Sequence, residues 1–364
     1  MKNYVSDFIK NIIERFYAVE ENKSVTLPKL RNVLIVRQHN QFGDMLTMVP
    51  LLRAIKEKYP KVKITLIAGT ANHYAVSKCN YIDSIVVFKQ NKIFNPYFMM
   101  KFVGVLRDKY DLCIVPSVVS MSFTSGFLAR LSNSKTRIGP ASLNGEKNPY
   151  AFLFDRRIAL DWRKYPDAHV SDFSMDIVKP FNIKTRSFKS EINFDKEDVH
   201  EAKEIIREMD LLEGQLLIGL HIGAGKPPNR WSLMKFINLV QRLNQNYKAL
   251  FYFTGSSSDK PEIDYIKENL NISATFIINK KIPVIAALIS KSDLFITNDT
   301  GIMHVAGSTD TPQISIFGPT NPFNWAPVGP QKYFIRKSEL IDDISVDDVY
   351  RLADMLLAKK NENR

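Results

Sequence analysis

Short unbroken apolar runs alternate along this chain with stretches whose apolar residues return every three or four positions. Val33-Leu34-Ile35-Val36, Ile64-Thr65-Leu66-Ile67, Ile85-Val86-Val87-Phe88 and Leu112-Cys113-Ile114-Val115 are runs of the first kind. A strand covered on both faces carries apolar side chains on both, so these runs read as buried parallel strands. Met45, Met48, Val49, Leu52 and Ile55 mark a helix over 45–58, and another is predicted at 97–108. The alternation then restarts. Strands are predicted at 216–220, 250–253, 275–278, 294–297 and 314–317, and helices at 232–247, 261–269, 283–290, 301–308 and 346–358. Such alternation builds a parallel sheet with helices on both faces. The chain therefore reads as two doubly wound α/β domains joined near 181–195. Ligands of such sheets bind outside the carboxyl ends of the strands. With two domains those ends can face each other across a cleft.

Ahead of the first strand, Val5, Phe8, Ile9, Ile12, Ile13 and Phe16 fall on one helical face, with Lys2, Lys10 and Arg15 among them. Residues 1–30 thus form an amphipathic helical extension, which either packs on its own domain or rests on a membrane surface. No apolar run approaches the roughly 20 residues that cross a bilayer. The N-terminus lacks the apolar core and cleavage site of a secretory signal. Cys79 and Cys113, the only cysteines, have no metal-ligand spacing. Their scarcity speaks against a disulfide framework or zinc site and fits a reducing cytoplasm.

The formal charge of +12 is unevenly placed. Residues 1–180 hold 27 Lys+Arg against 15 Asp+Glu, whereas 181–364 hold 23 of each. A one-signed first half suits an anionic partner, such as lipid headgroups, a phosphorylated glycan or nucleic acid, or it is a solubilising lysine-rich surface.

Four loops stand where chemistry belongs. In Arg37-Gln38-His39-Asn40-Gln41-Phe42-Gly43-Asp44, Gly43 permits a tight turn. Asp44 sits past a strand's carboxyl end, where a carboxylate can take a proton from an attacking hydroxyl or simply cap the next helix. His221-Ile222-Gly223-Ala224-Gly225-Lys226-Pro227-Pro228-Asn229-Arg230-Trp231 exposes backbone N–H groups beside two cations. That suits a diphosphate whose charge grows as a glycosidic bond breaks; otherwise it is a flexible basic loop. It is not a Walker P-loop, because no Gly-Lys-Ser/Thr opens a helix. In Asn298-Asp299-Thr300-Gly301-Ile302-Met303-His304, helix N–H groups can hold an anion and Asp299 can bond sugar hydroxyls, or the segment is a capped turn with an interior histidine. Phe317-Gly318-Pro319-Thr320-Asn321-Pro322 is a rigid turn at the same rim.

Taken in order, Gly43-Asp44, Gly223-Ala224 through Arg230-Trp231, Asp299-Thr300-Gly301-x-x-His304-x-Ala306 and Phe317-Gly318-Pro319-Thr320-x-Pro322 resemble glycosyltransferase family 9, the ADP-heptose:lipopolysaccharide heptosyltransferases. The resemblance spans about residues 31–335, and His169 before a helix-like stretch also matches the family. It implies a GT-B fold: residues 31–185 as an acceptor-binding Rossmann-like domain, 190–335 as the nucleotide-sugar domain and 340–364 as a C-terminal helix. It implies an inverting, direct-displacement transfer with no cofactor and no obligatory metal. By carry-over Asp44 is the general base. Lys226 or Arg230 is the phosphate-binding cation. Asp299, Thr300, Gly301 and His304 hold the donor sugar and diphosphate. Glu262 reaches the donor ribose, and Gly43, Gly223, Ala224 and Gly318 shape the supporting loops. Where many members have a lysine two positions before the tryptophan, this chain has Asn229.

The implied partners are a nucleotide-sugar donor, with ADP-heptose favoured, and an anionic glycolipid acceptor. The implied setting is cytoplasmic, with peripheral contact at the inner membrane and no nucleic acid. Alternatives are another nucleotide sugar, a non-catalytic nucleotide-sugar-binding protein and a dinucleotide oxidoreductase. The last lacks a Gly-x-Gly-x-x-Gly after the first strand.

Overall fold

A computed structural model describes residues 11–39 and 41–361, with side-chain environments up to residue 358. Val5, Phe8 and Ile9 of the expected amphipathic face, and Asn40 of the first loop, lie outside the described residues. The chain divides into two compact units, residues 1–73 with 79–188 and residues 74–78 with 189–364.

The first unit runs β1 (Asn32–Arg37), α1 (Phe42–Leu46), α2 (Val49–Lys58), β2 (Lys63–Gly69), β3 (Ser84–Phe88), α3 (Pro96–Arg107), β4 (Leu112–Ile114), α4 (Phe123–Leu131), β5 (Arg137–Leu143), β6 (Glu146–Lys147), β7 (Arg156–Leu160) and α5 (Val170–Asp176). Its sheet has the order β3-β2-β1-β4-β5, with β6 antiparallel and β7 parallel to β5. β1 pairs with β2 from Asn32↔Lys63 to Arg37↔Ala68, which puts Arg37 at the carboxyl edge. Val33, Leu34, Ile35 and Val36 are fully buried, as a strand covered on both faces requires.

The helix expected over 45–58 is two helices, and Pro50 explains the break. It has no N–H to give the carbonyl of Leu46. The chain tightens instead, with the Met48 N–H bonding to the Met45 carbonyl at 3.1 Å before α2 starts. Residues 11–17 are helical. The chain after them is tied to its own unit: Val19 N–H donates to the Phe152 carbonyl at 2.9 Å and Asn22 N–H to that of Asp155 at 2.8 Å. Ile12 and Phe16 remain exposed.

The second unit continues with α6 (Lys196–Glu208), β8 (Leu216–His221), α7 (Leu233–Asn246), β9 (Ala249–Gly255), α8 (Lys260–Asn269), β10 (Ala274–Ile278), α9 (Ile282–Ile289), β11 (Leu294–Asn298), α10 (Gly301–Gly307), β12 (Gln313–Ile316), α11 (Pro322–Trp325), β13 (Lys332–Ile335) and α12 (Val346–Asn361). Its strands are all parallel in the order β10-β9-β8-β11-β12-β13. That is the dinucleotide-fold order, with the crossover between β8 and β11. Leu216, Ile218 and Leu220 of β8 pack with Phe236, Leu239, Val240 and Leu243 of α7 and with Val349, Ala353 and Leu357 of α12. β8, β11 and β12 are neighbours, so the loops leaving their carboxyl ends emerge side by side.

Candidate functional site

In the second unit the site begins with Asn298, the last residue of β11. It is fully buried, and a buried amide must bond in both directions. Its Nδ2 donates to the Ile222 carbonyl at 2.7 Å, and its Oδ1 accepts from the Trp231 N–H at 3.2 Å. One side chain thus fastens both ends of the loop after β8. Trp231 anchors that loop in the core, its indole N–H donating to the Ile344 carbonyl at 2.9 Å. Gly318 lets the loop after β12 close on the others: a Cβ there would lie 2.9 Å from Ile341 Cβ and 3.1 Å from the Pro228 carbonyl oxygen. A Cβ on Gly223 would lie 2.3 Å from Asp259 Oδ1, so glycine lets this loop meet the turn after β9.

Asn229 joins three loops. Its Nδ2 donates to Asp299 Oδ2 at 2.8 Å, with longer contacts to the Asp299 carbonyl at 3.4 Å and Thr320 Oγ1 at 3.5 Å. Thr320 also hydrogen-bonds the Asp299 carboxylate. Burial raises the Asp299 carboxyl above its ordinary value, against the opposing pull of Thr320 and the Lys226 charge. Lys226 is exposed, its charge acts on Asp299, and among the described residues its side chain makes no hydrogen bond or ion pair. Arg230 is differently disposed. Its Nε donates to the Ala224 carbonyl at 2.9 Å and its Nη1 pairs with Glu262. Glu262, expected at the donor ribose, gives one carboxylate oxygen to Arg230, while the other is buried without a partner. Thr300 stands at the N-cap of α10, which opens at Gly301. His304 is buried in that helix, with its ring edge-on to Trp325 at 6.3 Å.

In the first unit the expected tight turn at Gly43 is absent. Gly43 is buried inside α1, which begins one residue earlier because the chain coils directly after Gln41. Asp44 lies in the first turn, where its Oδ2 accepts the Gln41 N–H at 3.1 Å. Among the described residues the other oxygen has no hydrogen bond. Beneath it lies Arg37, fully buried at the end of β1. Its Nη2 donates to the Asp44 carbonyl at 2.9 Å, its Nη1 only grazes the Pro116 carbonyl at 3.5 Å, and its Nε has no partner. Burial lowers the Arg37 value, partly offset by the Asp44 charge. His39 is held below its ordinary value by burial and by Arg37. Asn72 clamps the loop, donating to the His39 carbonyl at 2.9 Å and the Arg37 carbonyl at 3.2 Å. His169 caps α5, its Nδ1 accepting the Ser171 N–H at 3.2 Å.

Sequence reasoning quoted Arg37 and Thr320 within their loops but gave them no role, passed over Asn72, and treated Asn229 only as a departure. A cation at the end of an apolar strand is a usable signal for Arg37. The others depend on partners far along the chain and carry no local spacing. Among the described residues no group of three or more His, Cys, Asp or Glu is placed to hold a metal ion.

Two Rossmann-like units in one chain, each with a polar cluster at the carboxyl edge of its sheet, are the architecture of the GT-B fold. The model of "Glycosyltransferase family 9 (heptosyltransferase)" matches residues 99–347. The chain belongs to that family. Lipooligosaccharide heptosyltransferase 2 of Haemophilus influenzae is 23% identical over 327 residues, covering 85% of this chain and 89% of that protein. Among solved structures, a glycosyl transferase family 9 protein from Veillonella parvula superposes with a TM-score of 0.80 at 20% identity, covering 92% of this chain and 100% of the other. The E. coli ADP-heptose lps heptosyltransferase II gives 0.74 at 18% identity, covering 91% and 100%.

Proposed function

We propose that this glycosyltransferase moves a heptose from ADP-heptose to a hydroxyl of an anionic, lipopolysaccharide-type glycolipid, with inversion at the anomeric carbon. The second unit is read as the donor domain and the first as the acceptor domain. One observation carries the donor half. Asn229 binds the Asp299 carboxylate beside an unengaged Lys226 and a Thr320 from a third loop. An uncommitted ammonium beside sugar-bonding groups is what a diphosphate-sugar needs, since negative charge accumulates on the diphosphate as the C1–O bond breaks. Lys226 is preferred to Arg230 as that cation, because Arg230 is already occupied by Glu262 and Ala224. Asp299 accepts sugar hydroxyls, Thr300 and Gly301 present backbone N–H groups to the diphosphate, and His304 lines the same side.

Asp44 is the general base. In the proposed step its carboxylate takes the acceptor hydroxyl proton while that oxygen attacks the anomeric carbon, and the nucleoside diphosphate leaves with the bonding pair. One Asp44 carboxylate oxygen accepts the Gln41 N–H, the other has no hydrogen bond among the described residues, and the buried Arg37 guanidinium beneath donates to the Asp44 carbonyl. The names of the relatives, lipooligosaccharide and lipopolysaccharide heptosyltransferases, support the donor and acceptor assignments. The setting is read as the cytoplasmic face of the inner membrane; among the described residues no helix is long and apolar enough to cross it.

The test is Asp44→Asn. Binding of ADP-heptose, read as a thermal shift against UDP-, GDP- and CMP-sugars, stays at the wild-type level; a ligand of the native state stabilises as the logarithm of one plus its concentration over its dissociation constant, so an unchanged shift reports unchanged affinity. Transfer falls by about a thousandfold, within the usual range for losing a general base. Near-normal turnover by this variant, or a larger shift with another nucleotide sugar, would remove the assignment it tests.

A further inference from the structure

The outer face of α3 is built against the usual rule for a surface helix. Phe98, Phe102 and Leu106 turn inward, with Phe102 packing on Phe98 and on Phe88 at the end of β3. The opposite face should be polar. It carries Tyr97, Met100 and Lys101, and the turn before it carries Ile93 and Phe94. Phe94 is 92% exposed, Met100 67%, Tyr97 63% and Ile93 42%. Residues 90–97 are exposed without interruption. Single apolar residues on a surface need no explanation, but a contiguous group containing two aromatics does. Lys101 lies over the Tyr97 ring at 4.4 Å, and Gly104, one turn on, leaves open space beside it. Between Asp83 and Asp108 the charge along the chain has one sign. From 84 to 107 the chain has Lys89, Lys92, Lys101 and Arg107 and no Asp or Glu.

Aromatic and long apolar side chains among lysines, with no acid between them, complement the interfacial layer of a bilayer whose headgroups are anionic. We propose that Ile93, Phe94, Tyr97 and Met100, together with the lysines interspersed along this stretch, dock the chain on an anionic lipid surface. The position is apt. β3 runs parallel to β1 with β2 between them. The chain leaving β3 therefore emerges at the same sheet edge as the Asp44 loop, about 10 Å to the side at two strand spacings. Docking there brings that edge to the level of headgroups, where a glycolipid presents its sugars. The kind of surface expected rests on the function proposed above, but the test does not use transfer.

The full chain is mixed with vesicles of phosphatidylcholine alone or with one-third phosphatidylglycerol, and the bound fraction is measured by flotation. Wild type binds the anionic vesicles, and binding weakens as salt screens the lysines. Phe94→Ser with Tyr97→Ser lowers the partition constant at least about tenfold. Lys89→Gln with Lys92→Gln and Lys101→Gln lowers it on the order of a hundredfold, at roughly fivefold per cation. Residues 1–30 are intact in both variants, so unchanged binding would assign any membrane affinity elsewhere and overturn the proposal. No binding by wild type would also overturn it. So would light scattering showing that Phe94→Ser with Tyr97→Ser turns a dimer into a monomer, which would make the patch an interface between copies. Both variants must keep the wild-type circular dichroism and melting temperature; Tyr97→Gln alone, with its lysines untouched, gives the same reading if the double variant does not fold.

Discussion

Asn229→Ala removes the side chain on which the second unit's polar cluster turns. Of its three contacts, only that to Asp299 Oδ2 at 2.8 Å has the length of a full hydrogen bond; those at 3.4 and 3.5 Å are marginal. A bond to a charged acceptor is worth about 1.5–3 kcal/mol. Its loss leaves a buried carboxylate with one donor fewer, which moves Asp299 further towards its neutral form. If the donor sugar needs Asp299 in its present place, that energy appears as a dissociation constant weaker by roughly ten- to a hundredfold. Calorimetric titration with ADP-heptose measures it. Asn229→Asp supplies a control of nearly equal size. Two carboxylates at that distance cannot both ionise, so donor binding by that variant should weaken as pH rises and recover on acidification, a dependence Asn229→Ala lacks. Wild-type affinity in Asn229→Ala together with a lowered melting temperature would show that Asn229 only holds loops together, and the reasoning about Asp299 would be refuted.

Arg37→Met removes a fully buried cation that has one good bond. The bond lost is offset by the relief of a buried charge, so urea unfolding should show stability within about 1 kcal/mol of wild type or higher, while transfer at saturating donor falls at least about tenfold because Asp44 loses its support. Glu262→Gln removes the charge of the largely buried partner of Arg230; if Glu262 does not touch the donor, affinity should change less than about threefold, under about 0.7 kcal/mol, and a larger loss in titration would return Glu262 to the ribose. Lys332 donates to the carbonyls of Ala306 at 2.9 Å and Thr311 at 2.6 Å, and burial lowers its value to about 7. Between that value and the ordinary one near 10.5 the unfolded chain holds a proton the fold does not. Stability should therefore rise with pH above 7. Comparing denaturation of Lys332→Met and wild type at neutral and alkaline pH isolates this slope, and an equal slope in both would rule it out.

Both parallel sheets were legible because a strand buried on two faces must be apolar throughout, as Val33 to Val36 and Leu294 to Ile296 are. The segment 137–160 was not. Gly139 and Pro140 interrupt the apolar run of β5, β6 is only Glu146–Lys147, β7 opens on Arg156 and Arg157, and their pairing is decided by distant backbone. α6 was missed although Asp195 caps it through the N–H groups of Glu197 and Asp198, and Val199, Ala202 and Ile205 recur at helical spacing. At the site, the loops were legible by place and residue type. The partners within them were not: Asn229 and Asp299 stand 70 positions apart and Arg230 and Glu262 stand 32 apart. Nothing in either segment alone says which cation is tied down and which is left over.

The two units share a strand order but not its electrostatics, and the difference falls at equivalent positions. Arg37 ends β1 and His221 ends β8, each the first strand of its sheet and each buried. Burial lowers both values, but with opposite consequences. An arginine starts so far above neutrality that it stays charged. A histidine held below its ordinary value is uncharged at neutral pH, and His221 accordingly faces Thr254 through its Nδ1, 2.9 Å from the carbonyl and 3.0 Å from the hydroxyl. The first unit therefore has a permanent cation beneath the turn that carries Asp44. The second has a neutral floor, so positive charge for a diphosphate must come from the loop above. There Lys226 is exposed and unengaged, whereas Arg230 is held. Under the function proposed above, the residue that closes the first strand suits the same topology to proton removal in one unit and to anion binding in the other.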